Sequence, residues 1–181
     1  SVTLSDEADL TAANIEIGVG NENSVPGLST LSLTGLGTTA MQSGSSTLQI
    51  GGAFAESGTL SVASRAVFTT GTGTTTVGPT GRIEADNSGE VHFSGDLIVD
   101  GGTLQNLDTV PVFFYAPGTN VTVQGGGLIA DLRLQSLDVD SVLITGDGSR
   151  GSFGGIDVNT SAMVTDGGSF EVDTSLDIGD A

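Results

Sequence analysis

A chain of 181 residues is long enough for one domain with a substantial core. Its 22 acidic residues face four arginines and no lysine, a net charge of −18, which excludes nucleic acid and anionic membrane surfaces as partners because both demand positive counter-charge. Cysteine is absent, so there is neither a disulfide framework nor a thiolate metal site. Mean hydropathy is slightly positive at +0.18 and hydrophobic residues make up 36%, values of an ordered chain despite the charge.

Taken in chain order, the first segment is Ser1-Val2-Thr3-Leu4, which has neither a basic nor a hydrophobic leader character. The expectation is that either a signal has been removed or the chain is an excerpt of something longer. Asp6 to Asn14 reads either as a single helical turn or as a first strand rung with Val2, Leu4 and Leu10 inward. From there apolar–polar–apolar triplets recur: Leu31-Ser32-Leu33, Leu48-Gln49-Ile50, Leu60-Ser61-Val62 and Val91-His92-Phe93. Val121-Thr122-Val123, Leu132-Arg133-Leu134, Phe170-Glu171-Val172 and Leu176-Asp177-Ile178 continue the series. In a strand, side chains alternate between faces, so each triplet turns two apolar groups one way and a polar group the other. Strands this short need many neighbours to form a core.

Ile17, Leu33, Ile50, Val67, Ile83 and Val99 follow one another at steps of 16 or 17 residues, with glycine turns such as Ile50-Gly51-Gly52 and Asp100-Gly101-Gly102 between them. This texture predicts an all-β chain folded as a parallel β-helix (β-solenoid) with two or three strands per turn. An antiparallel β-sandwich is the alternative, since it also places turns every 8–12 residues or so. Residues 1–181 are expected to form a single solenoid domain, with an insertion or irregular rung at about 105–119. There Val110-Pro111-Val112-Phe113-Phe114-Tyr115-Ala116-Pro117 holds two of the four prolines and the sole tyrosine.

Candidate chemistry is sparse. The single histidine, His92, falls on the polar side of its triplet, which suits a surface residue better than a proton shuttle. Threonines crowd residues 69–76, but this window occurs once, and an ice-matching array would need it on every rung. Carboxylates are plentiful enough for sugar hydrolysis, but the arginines that would hold an acidic sugar are scattered, so no catalytic residue is assigned. Asp138 and Asp140 share a strand face, and Asp166, Glu171 and Asp173 surround a Gly-Gly turn. These five are the candidate metal ligands, with calcium as an optional cofactor and solvated outward acids as the plainer account. Phe113, Phe114 and Tyr115 are either core filling or a flat aromatic surface for a sugar ring or a partner.

Gly58-Thr59-Leu60-Ser61-Val62, the stretch from Gly95 to Leu104 and Gly168-Ser169-Phe170-Glu171-Val172 resemble the glycine-rich repeats of bacterial surface and autotransporter-like β-solenoid proteins. The resemblance covers about residues 28–104 well and 120–178 loosely. It implies a right-handed coil at the cell surface, acting as a stalk, adhesin or matrix component, and it brings no shared catalytic residues. The expected function is a non-enzymatic extracellular structural or adhesive element that associates with itself, stacking end to end, or with other surface components. A polysaccharide-binding or polysaccharide-active β-helix is the alternative.

Overall fold

A computed structural model describes residues 1–20, 27–52, 56–107, 113–132 and 137–179. Nineteen strands run in chain order and no helix occurs among the described residues. Five turns each carry three strands. The first holds β1 (Val2–Leu4), β2 (Asp9–Ala12) and β3 (Glu16–Ile17); the second β4 (Leu28–Thr34), β5 (Thr39–Gln42) and β6 (Leu48–Ile50). The third holds β7 (Ser57–Ala63), β8 (Val67–Thr69) and β9 (Thr75–Val77); the fourth β10 (Gly81–Asp86), β11 (Glu90–His92) and β12 (Leu97–Asp100). β13 (Thr103–Asn106), β14 (Phe113–Tyr115) and β15 (Asn120–Gln124) complete the fifth. Beyond it the corners flatten, giving β16 (Leu128–Leu132) and the longer β17 (Leu137–Thr145), β18 (Arg150–Thr165) and β19 (Ser169–Ile178).

Every pairing is parallel and joins a strand to its counterpart one turn away. The first face stacks β1-β4-β7-β10-β13-β16-β18, the second β2-β5-β8-β11-β14, and the third β3-β6-β9-β12-β15-β17-β18. This is a parallel β-solenoid, and the antiparallel sandwich is ruled out by strand direction alone. Registers on the first face run Leu31–Leu60–Ile83–Leu104–Ile129–Gly151–Phe170. The successive steps are 29, 23, 21, 25, 22 and 19 residues.

The 16- and 17-residue spacing is therefore not the rung. Ile17, Ile50 and Val99 belong to the third face, Leu33 and Ile83 to the first, and Val67 to the second. Val67 is not an inward residue either. Its neighbour Phe68 is fully buried, in register with Ala40 below and Val91 above. Asp6 to Asn14 forms no helical turn: Asp6 and Glu7 take positive φ at a corner and β2 follows, which is the rung alternative. In the 105–119 region, β13 and β14 both keep their places in the stack, and residues 108–112 lie outside the described residues. So do Arg133 and Leu134.

One continuous apolar core fills the coil. Leu60, Val62 and Ile83 from the first face, Phe68 and Val91 from the second, and Ile50, Val77, Val99 and Ile144 from the third are all 0% exposed. Each such side chain stabilises the fold by about 1.5–3 kcal/mol relative to exposure. The corner between the third and first faces is too tight for a side chain. A Cβ on Gly58 would lie 2.0 Å from the carbonyl oxygen of Ile17, and one on Gly81 2.0 Å from that of Ile50. Two buried hydroxyls at corners are held locally: that of Thr38 donates to Thr34 O at 2.9 Å, and that of Thr119 to Ala116 O at 2.8 Å.

Candidate functional site

With the interior filled by side chains, any site must lie on an outer face or at an open end. The outer faces are lined by side-chain ladders running along the axis. Asn120 Nδ2 donates to Asp96 Oδ1 at 3.0 Å, and Ser141 Oγ donates to Asn120 Oδ1 at 2.7 Å on the next rung. On the first face, Gln105 Nε2 donates to Glu84 Oε1 at 2.9 Å, and the same oxygen pairs with Arg82 at 3.0 Å. Thr165 Oγ1 donates to Thr145 Oγ1 at 2.9 Å beside the last corner. All of these links but Arg82–Glu84, which lies within β10, tie neighbouring rungs, and all satisfy groups that a binding site would hold open.

The aromatic segment is corrected in part. Phe114 is 1% exposed and stacks on Phe93, ring centres 6.3 Å apart and planes 9° from parallel. β14 pairs in register with β11, so Phe114 follows Val91 into the core and offers no surface to a sugar. Phe113 and Tyr115 flank it in the strand, and their side chains lie outside the described residues.

The five candidate metal ligands do not come together. Asp138 and Asp140 are exposed on β17, where the register slips between Val139 and Ser141. Asp166 takes φ 52° at the last corner and accepts from Thr145 Oγ1 at 3.2 Å, while Glu171 and Asp173 are exposed on β19. Among the described residues no group of three or more His, Cys, Asp or Glu side chains is placed to hold a metal ion. Asp138 instead heads a column whose other acids lie outside the candidate set. Asp157 pairs with it in register on β18, and Asp177 pairs with Asp157 on β19. The clue lay in a triplet repeated at rung distance: Leu137-Asp138-Val139, Ile156-Asp157-Val158 and Leu176-Asp177-Ile178. Asn159 Nδ2 donates to Asp138 Oδ1 at 2.8 Å, and Asp157 Oδ1 is buried without a hydrogen-bond partner.

His92 is half-exposed on the second face, its Nε2 3.0 Å from Glu90 Oε2. Both members of this pair lie on one strand two residues apart on the outer face. Arg82 and Arg150 occupy one outer column of the first face, in the register Thr59–Arg82–Thr103–Leu128–Arg150–Ser169. A shallow groove along that column is lined by Thr59, Arg82, Glu84 and Thr103 among others.

Comparison with protein-family models, with curated proteins and with solved structures finds no match to this chain. What the chain does has to be argued from the solenoid itself.

Proposed function

We propose that this chain is a non-enzymatic structural or adhesive β-solenoid of an extracellular or cell-surface assembly: a stalk, fibre or matrix component that associates with itself or with other surface components. The observation that carries this reading is the bonding of the outer faces. Polar side chains there are spent on rung-to-rung ladders, such as Asp96–Asn120–Ser141, rather than gathered around a pocket. A core without disulfide staples and a surface of charge −18 suit a chain whose task is to keep its length and stay solvated in water and salt. No cofactor is required in this reading, and calcium is at most a loosely held counter-ion of the outward acids.

The test is localisation in the organism that makes the chain. Antibodies raised against the folded protein should label intact, unpermeabilised cells or the material around them. Labelling that appears only after permeabilisation would overturn the reading.

A second reading draws on the column containing Arg82, Thr103 and Arg150. Hydroxyl and guanidinium groups repeated along one flat face suit a linear, hydroxyl-rich polymer, so a polysaccharide is the ligand that face would take. Electrophoresis through gels cast with a soluble polysaccharide separates the two. Retardation of the native chain that is lost in Arg150→Ala favours the glycan reading, and equal mobility of both removes it.

A further inference from the structure

We propose that the groove around Arg82 and Glu84 on the first face is a binding site for a neutral polysaccharide, and that it rejects acidic sugars. This rests on the glycan reading above and specifies its site and the class of sugar it takes.

The groove has a volume of about 570 Å³, within the roughly 300–1,000 Å³ of small-molecule sites. Its shape follows from the outward columns of the sheet. Thr59, Arg82 and Thr103 stand in register on three successive rungs, so one long side chain has a short hydroxyl residue on either side. The guanidinium of Arg82 is drawn along its own strand to Glu84, with Nη1 3.0 Å from Oε1. Both threonines keep their places in the lining. Toward the corner, Leu28 and Pro79 complete the lining; both are exposed, Leu28 at 67%. They offer apolar surface to the C–H face of a sugar ring.

Donor and acceptor are fixed side by side. Glu84 Oε1 accepts from Arg82 and also from Gln105 Nε2 at 2.9 Å, which holds the carboxylate from two directions. Its Oε2 and the remaining N–H groups of Arg82 have no hydrogen-bond partner among the described residues. A guanidinium only donates and a carboxylate only accepts. Together they complement two adjacent hydroxyls of one ring, the first accepting from Arg82 and the second donating to Glu84. Hydrogen bonds with one charged member are the stronger kind. The hydroxyls of Thr59 and Thr103 are likewise unpaired among the described residues, and they extend the polar contact along the axis.

Charge selects the sugar. Arg82 and Glu84 cancel one another, while Asp86 shares their outer face two residues beyond Glu84, and Glu56 precedes Ser57 at the edge of the groove. A carboxylated ring would bring a further negative charge to a hollow that is already net negative, on a chain of charge −18.

Affinity electrophoresis of the whole chain tests the site, in gels cast with hydroxyethyl cellulose, galactomannan or polygalacturonate. The native chain should be retarded by at least one of the two neutral polymers and not by polygalacturonate. Arg82→Lys keeps the charge but loses the planar fork, and Glu84→Gln replaces the charged acceptor by an amide. Each should weaken binding about tenfold or more, as expected for a hydrogen bond to a charged group. Leu28→Ser should weaken it by a smaller factor. The Arg82 and Leu28 side chains are exposed, so these two variants should melt like the native chain, and a lost site is then distinct from a lost fold.

A native chain retarded by neither neutral polymer would overturn this proposal together with the glycan reading. Retardation that persists in Arg82→Lys and Leu28→Ser but disappears in Arg150→Ala would overturn the groove alone and leave the glycan reading standing. Equal retardation by polygalacturonate would likewise defeat only the choice of a neutral sugar proposed here.

Discussion

Asp157 stands in register against Asp138 on the neighbouring strand, and its Oδ1 is buried without a hydrogen-bond partner. Asp177 extends the column on the next rung, so three carboxylates follow one another along the axis. Like charges directly opposed on neighbouring strands destabilise a sheet by about 0.2–1 kcal/mol per pair. An amide at the middle position removes two such pairs and offers a donor to its neighbours.

Asp157→Asn is therefore expected to raise the melting midpoint by about 1–8 °C for a domain of this size. It should also flatten the rise of the midpoint with salt. Thermal melts by circular dichroism at low and high ionic strength measure both. A lower midpoint in the variant would mean that the column is stabilising as it stands.

The outward acids lead to a second expectation. Asp138 and Asp140 are separated from Asp166, Glu171 and Asp173, and no three of the described acids converge on one ion. Excess chelator should then leave the melting midpoint unchanged when ionic strength is held constant. A ligand that bound the native state at 100 times its Kd would move stability by about 2.7 kcal/mol, which a melt resolves easily. A midpoint that falls on chelation would point to a bound divalent cation.

The tight corner gives a third. Gly81→Ala forces a Cβ to 2.0 Å from the Ile50 carbonyl oxygen, a backbone atom held in the ladder through Gly78 N at 2.9 Å. Neither side can yield without opening a rung, so the cost should reach or exceed the roughly 1–3 kcal/mol of an overpacked core. Gly52→Ala is the control, because nothing lies within 4 Å of a Cβ there. Denaturant melts should show a marked loss for the first and little change for the second.

The alternation of Leu60-Ser61-Val62 or Leu48-Gln49-Ile50 was enough to read strands and an inward face, because that signal is local to three residues. The rung length was not local. Ile17 to Leu33 and Ile50 to Val67 are hops between different faces, whose lengths happen to agree, while the true rungs vary with the size of each corner. Phe68 shows the consequence: counting by 17 selects Val67, whereas the pairing with Ala40 and Val91 turns the next residue inward. Outer-face neighbours such as Asp138, Asp157 and Asp177 become visible only once the register is known. Phe114 was open to two readings because a strand buries its aromatic or shows it according to a single residue of phase.

The stack of rungs is itself the product of this sequence, and its length can be changed without touching any site. Residues 60–82 span one turn, from Leu60 to the residue before its first-face partner Ile83. Inserting three further copies of that segment in tandem should lengthen the molecule by about 14 Å at constant cross-section. It should also keep the melt cooperative, and small-angle X-ray scattering reads both dimensions directly. A chain that keeps its original length, swells in cross-section or loses its cooperative melt would contradict a solenoid of interchangeable rungs.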